Sequence, residues 1–191
     1  PRRCSPPSPT GRASDAMDGC GFVGFPGVDR LYGHGALKRF RSCRVAVVGL
    51  GGVGTWAAEA LARSGIGHLS LIDADDLCVS NTNRQLPAVA GQYGRSKVEA
   101  MAERCVAISP AIEVDAVSSF LTPANTAQLL DRDFDVVIDA CDSFRTKVEA
   151  IAWCRRRKQS IITVGSAGGR IDPTRGGVLD LFRTDADGIL P

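Results

Sequence analysis

Arg44-Val-Ala-Val-Val-Gly-Leu-Gly-Gly-Val-Gly-Thr55 is an apolar, β-branched run that ends in a glycine loop, and Trp56-Ala-Ala-Glu-Ala-Leu-Ala-Arg63 after it reads as a helix. Gly49, Gly51 and Gly54 have the G-x-G-x-x-G spacing, in the order strand, loop, helix that a nucleotide-binding unit requires. Glycine suits this place because the chain turns tightly and a phosphate must approach bare backbone. The free N–H groups and positive dipole end of the following helix favour an anion. Gly49, Gly51, Gly52 and Gly54 are therefore candidate cofactor-binding residues, with a plain structural βα turn as the alternative.

The rest of the composition bounds what this unit can belong to. A chain of 191 residues, 44% hydrophobic and 23% charged, is that of an ordinary soluble globular protein with one domain. The net charge of +2 argues against strong non-specific nucleic-acid binding while leaving room for a local patch. The 7 cysteines include no C-x-x-C pair and are odd in number, which argues against a zinc ribbon and for reduced thiols in the cytoplasm. No apolar run reaches the ~20 residues that span a bilayer, so no membrane association is expected. Residues 1–24, rich in Pro, Ser, Gly and Arg, are expected to be disordered, and residues 25–191 to form the domain. The leading stretch lacks the apolar core of a signal peptide, and Met17 is a candidate start.

Along the chain, strands alternate with helices. A short helix is expected around Arg30–Phe40, and strands at His68–Asp73, Ile112–Val117, Phe134–Ala140 and Ser160–Val164. Helices are expected at Lys97–Ile108, with Val98, Met101, Ala102, Cys105 and Ile108 on one face, and after Thr122, with Pro123 at its first position. A further helix runs from a cap at Asp142 or Ser143 to about Lys158, and Val178–Phe182 reads as an added strand. The alternation predicts an α/β fold with a doubly wound, mostly parallel sheet, whose ligands lie beyond the carboxyl ends of the strands.

That geometry singles out four more residues. Asp73 ends the second strand about 20 residues past the glycine loop, where a carboxylate accepts hydrogen bonds from ribose hydroxyls; a loop cap is the plainer role. Arg84 lies in the long loop that follows, and Lys97 opens the next helix. A lysine at a helix N-terminus opposes the dipole, so an anion should compensate it. Arg84 suits a bidentate phosphate contact and Lys97 a point charge, where an NAD site would ask for neither. Asp142 follows the fourth strand and suits either Mg²⁺ or an N-cap, which Ser143 could take instead.

The set Gly-Leu-Gly-Gly-Val-Gly, Leu-Ile-Asp-x-Asp, Ser-Asn-Thr-Asn-Arg-Gln, Gly-Arg-Ser-Lys and Asp-Ala-Cys-Asp-Ser resembles the ubiquitin-activating-enzyme-like (ThiF/MoeB/HesA) superfamily, from about Val28 to Phe182. The resemblance implies adenylation of a carboxylate with ATP and Mg²⁺, with a monovalent cation such as K⁺ as a further candidate. It implies Asp73 at the ribose, Asn81, Arg84 and Lys97 at the phosphates, and Asp142 at the metal and α-phosphate. Arg30 matches an N-terminal arginine that reaches into the partner subunit's site, which implies a homodimer; without the resemblance it reads as a plain surface residue. Arg30, Arg84, Lys97 and Asp142 are thus the candidate catalytic residues.

Asn81-Thr-Asn-Arg-Gln85, Asp142-Ser-Phe-Arg-Thr-Lys147 and Gly168-Gly-Arg-Ile-Asp-Pro-Thr174 are most similar to the branch that dehydrates threonylcarbamoyladenosine in tRNA. The implied reaction releases AMP and pyrophosphate while an oxazolone ring closes. Activation of a ubiquitin-like sulfur carrier is the alternative, with sulfur-relay proteins as candidate partners in either case. An NAD-binding sensor domain is a more distant, non-enzymatic rival. Cys141 could be cast as a thioester nucleophile, but a buried thiol at a strand end is commonplace. Arg155-Arg-Arg-Lys158 could bind tRNA phosphates or simply complement a helix dipole, and His68 reads as structural. The chain ends at Pro191, short of the C-terminal structure usual in the superfamily.

Overall fold

The computed structural model describes residues 25–165, 172 and 176–181. In chain order its elements are α1 (Pro26–Tyr32), α2 (Ala36–Ser42), β1 (Arg44–Val48), α3 (Gly54–Arg63), β2 (His68–Ile72), α4 (Lys97–Ile108), β3 (Glu113–Val117), α5 (Thr126–Leu130), β4 (Val136–Asp139), α6 (Phe144–Arg157) and β5 (Ile161–Thr163).

Successive side chains of β1 face opposite layers. Val45 and Val47 pack with Leu69 and Leu71 against Ala58 and Ala62 of α3 and Val98, Met101 and Cys105 of α4. Ala46 and Val48 enter the other core with Ile72, Val137, Leu130, Ala150 and Trp153. A strand buried on both faces must be apolar at nearly every position, and Val45–Val48 is.

The five strands form one sheet in the order β3-β2-β1-β4-β5, parallel throughout. Val47 pairs with Leu71 on one side and Ile138 on the other, which places β1 at the centre. Strand order reverses between β1 and β4, and there crossovers leave to opposite faces and open a crevice at the carboxyl ends. The doubly wound expectation holds. No helix of the described residues is long and apolar enough to cross a membrane.

Several elements differ from the sequence reading. The single short helix before β1 is two, α1 and α2, which break at Gly33 and Gly35, both in the left-handed region, and are tied by the Leu37 amide donating to Asp29 Oδ1 at 2.8 Å. The helix expected after Thr122 starts only at Thr126, because Asn125 Oδ1 accepts the Thr122 amide at 2.7 Å and holds residues 122–125 in a turn. Of the two residues offered as the cap of α6, Ser143 takes the role by accepting the Thr146 amide, as the sequence allowed. The added strand at Val178–Phe182 is not formed over its described residues: 176–180 have no regular structure, Val178 is 98% exposed, and no strand among the described residues pairs with it. Residues 1–24, 166–171, 173–175 and 182–191 lie outside the described residues, and with them the disorder expected of 1–24 and most of the Gly168–Thr174 motif.

Candidate active site

A cleft of about 920 Å³ opens at the β1/β4 crevice. Gly49, Gly51, Gly52, Asp73, Asn81, Arg84, Lys97 and Asp142 all line it, so eight of the ten predicted site residues converge from five separate stretches of chain. The other two are Gly54 and Arg30.

Each glycine has a different reason to be glycine. Gly49 has φ +88°, and a Cβ there would meet the Cys141 Cα and N at 3.0 Å. At Gly54 a Cβ would fall 1.8 Å from the Gly49 carbonyl oxygen, so this residue serves helix–strand packing and not the cleft surface. Gly51 faces open space, leaving bare backbone beside the N-terminus of α3. At Gly52 a Cβ would crowd the Arg84 Cγ and Cδ at 3.2 Å, so the missing side chain is what lets Arg84 lie over the loop.

The polar side chains are held by backbone. Asp73, buried at the end of β2, accepts the Leu50 amide on Oδ2 at 2.6 Å and the Asp75 amide on Oδ1 at 2.8 Å. It therefore clamps the glycine loop to β2 and retains a free lone pair on each oxygen for a ligand. Asn81 closes a 3-10 turn (Val79–Asn81) by accepting the Cys78 amide at 3.0 Å, and its amide nitrogen makes no bond among the described residues. Arg84 donates Nη1 to the Ser80 carbonyl and Asn83 Oδ1, both at 2.9 Å, which fixes the guanidinium while Nε and Nη2 stay available.

Lys97 is buried, and its Nζ lies 2.7 Å from Asp75 Oδ2. Asp75 is thus the anion that compensates a lysine at the start of α4, a position that would otherwise repel it. Asp142 is exposed on the cleft wall and pairs with no cation among the described residues. Those residues contain no cluster of three or more metal-ligating side chains, so an ion here would take one carboxylate and draw its other ligands from phosphate and water.

Beneath Asp142 lies a buried network. Lys147 Nζ is 2.5 Å from Asp139 Oδ2, both side chains 0% exposed, and the Thr163 hydroxyl donates to the same oxygen at 3.0 Å. Asp139 Oδ1 accepts the Cys141 thiol at 2.8 Å. Burial, then the Asp139 carboxylate, push the Cys141 thiol up to about 12 from 9.0, so it is protonated and no thiolate nucleophile is poised there.

Arg30 sits exposed on α1 and does not line the cleft of its own chain. At the C-terminal end of α6, one helix length from the cleft, Arg157 pairs with Asp131 and stacks over Trp153, and Arg156 lies 3.7 Å from Glu149. Sequence reasoning missed Asp75 as the Lys97 partner, although it is the second acid of Leu-Ile-Asp-x-Asp. It also missed Phe120, Leu121 and Thr122, which wall the cleft just past β3. The rule that ligands lie beyond the carboxyl ends of strands would have found them.

Comparison with known proteins identifies the family. The ThiF family model matches residues 28–175. The tRNA threonylcarbamoyladenosine dehydratase of Haemophilus influenzae is 49% identical over 166 residues, covering 87% of this chain and 64% of the relative. That of Escherichia coli is 52% identical over 163 residues, covering 85% and 61%. A crystal structure of the E. coli tRNA N6-threonylcarbamoyladenosine dehydratase, TcdA, in complex with ATP superposes with a TM-score of 0.85 at 51% identity, covering 87% of this chain and 69% of that one. The chain thus spans about 64% of the length of the H. influenzae relative. With its glycine loop, its acidic strand end and its two buried or anchored cations gathered at one crevice, the chain belongs to the ThiF family.

Proposed function

We propose that this chain carries the ATP-binding adenylation domain of a tRNA threonylcarbamoyladenosine dehydratase. The observation that carries the reading is the single cleft joining the glycine loop, Asp73, Asn81, Arg84, Lys97 and Asp142, in a chain about half identical to enzymes of that name.

In this reading the loop N–H groups and the α3 dipole receive phosphate charge, Asp73 accepts from the ribose hydroxyls, and Asn81, Arg84 and Lys97 donate to the phosphates. Asp142 fits Mg²⁺, being a cleft carboxylate with no cation of its own among the described residues. When bound, the ion would offset negative charge gathering on the phosphates. The threonylcarbamoyl carboxylate attacks the α-phosphorus and pyrophosphate leaves. The carbamoyl oxygen then attacks the activated acyl carbon, an N–H proton is lost, and AMP leaves as the oxazolone ring closes. The second step is intramolecular, so proximity supplies much of the rate and no protein nucleophile is needed. A protonated Cys141 is consistent with that economy.

The reading includes a homodimer in which Arg30 acts in trans, supported by its not lining its own cleft and by exposed Leu31 and Tyr32 beside it. It includes a cytoplasmic location, in keeping with free Cys43, Cys78, Cys105, Cys141 and Cys154, and sulfur-relay proteins as candidate partners.

The test measures AMP release from ATP by the full-length protein with and without modified tRNA, reading the nucleosides by mass spectrometry and titrating Mg²⁺ and K⁺. tRNA-dependent AMP with loss of one water from threonylcarbamoyladenosine is expected, and Arg84→Ala should abolish it. AMP formation that responds to a ubiquitin-like carrier and not to tRNA would transfer the assignment to a carrier adenylyltransferase.

A further inference from the structure

The Asp139–Lys147 pair is unusual in being completely enclosed, with both side chains 0% exposed. Replacing such a pair by apolar residues of similar volume is often neutral or stabilising, so stability alone gives no reason to keep it. Its bonds point to another use. One carboxylate joins four groups on three residues: Lys147 on α6 and Thr163 at the end of β5 through Oδ2, and the Cys141 amide at 3.2 Å and thiol at 2.8 Å through Oδ1.

Cys141 is the residue next to Asp142, and the turn that holds both has no slack. A Cβ at Gly49 would lie 3.0 Å from the Cys141 backbone and 3.1 Å from the Ala140 carbonyl carbon, so turn and glycine loop meet backbone to backbone. Thr146, beside Lys147, donates to the Leu121 carbonyl at 3.3 Å and ties α6 to the opposite wall of the cleft. We infer that Lys147 is a positioning residue: through Asp139 it sets the height of the 140–142 turn, and so the place of the Asp142 carboxylate, from beneath the cleft. This rests on the proposed role of Asp142 toward Mg²⁺ and phosphate.

The experiment is a double-mutant cycle on ATP binding by the full-length protein, measured by calorimetry in EDTA and across a Mg²⁺ titration. Asp142→Ala, Lys147→Met and their combination are compared. Lys147→Met should leave ATP affinity in EDTA within about twofold of wild type and raise the Mg²⁺ concentration for half-maximal enhancement about tenfold, a shift of about 1.4 kcal/mol. The combination should be no worse than Asp142→Ala alone.

Lys147→Met strands a buried carboxylate, so Asp139→Asn/Lys147→Met serves as a second variant with no lone charge inside. It should melt near wild type and still show the tenfold Mg²⁺ shift. Wild-type Mg²⁺ dependence in either variant, or additive losses in the cycle, would overturn the inference. So would wild-type ATP binding that Mg²⁺ does not strengthen, which removes the role of Asp142 itself. The readout needs no tRNA, so a failed tRNA assay would strike the proposed substrate separately.

Discussion

Gly54→Ala and Gly51→Ala should separate two jobs that the glycine loop performs. At Gly54 the new Cβ would lie 1.8 Å from the Gly49 carbonyl oxygen, against a limit of 3.0 Å for real contacts, so α3 must retreat by more than 1 Å. The obstacle is backbone and cannot rotate away, which puts the overpacking cost at the upper end, about 3 kcal/mol. Gly54 is the first residue of α3, so alanine's better helix propensity returns at most about 1 kcal/mol, the figure for a helix interior, leaving a net loss of at least about 2 kcal/mol. For a domain of this size that lowers the melting temperature by about 4–8 °C.

At Gly51 a Cβ meets nothing within 4 Å and the backbone is not left-handed, so stability should stay within about 0.5 kcal/mol. The methyl would instead occupy the face on which phosphates must approach the backbone. ATP affinity should fall at least about tenfold, or about 1.4 kcal/mol. Thermal melts and ATP calorimetry on both variants read the two effects. Wild-type ATP affinity in Gly51→Ala would refute the loop as a phosphate cradle, and an unchanged melt in Gly54→Ala would refute the close-packing argument.

Lys97→Met keeps the buried stem but removes a charge whose partner, Asp75, is half exposed; stability should change by about 1 kcal/mol or less while ATP affinity drops at least about tenfold, seen by melting and calorimetry side by side. Glu59 links α3 to α4: burial alone would raise its carboxyl, but hydrogen bonds from Arg104 and Arg63 bring it below the ordinary 4.5. Its contribution is therefore complete above that value and lost as pH falls through the lower, folded one, so Glu59→Gln should flatten the acid limb of a stability–pH curve while wild type declines. Burial pushes the thiols of Cys105 and Cys154 up to about 11 and that of Cys141 to about 12, so iodoacetamide at pH 8 should modify exposed Cys78 first among the described cysteines. Rapid alkylation of Cys141 in the folded protein would contradict its bond to Asp139.

The amino-acid sequence by itself determined whatever depends on near neighbours in the chain. The β-branched run at Val45–Val48 and the apolar face of α4 set the layers, and alternating strands and helices set a parallel sheet. The glycine spacing, Asp73, Lys97 and Asp142 were legible because each sits near a strand end or helix start, where doubly wound sheets collect ligands, and Arg84 because a guanidinium in the loop after β2 suits a phosphate. The tertiary structure alone decided what depends on residues far apart in sequence. Only folding brings Asp75 within 2.7 Å of Lys97, or seats Arg84 over Gly52. Nor do the described residues around Val178 form a strand, since a strand takes its hydrogen bonds from a neighbour that sequence pattern cannot supply. Lys147 makes the same point most sharply: on an exposed helix face it would be one more basic residue, and only folding buries it fully against Asp139.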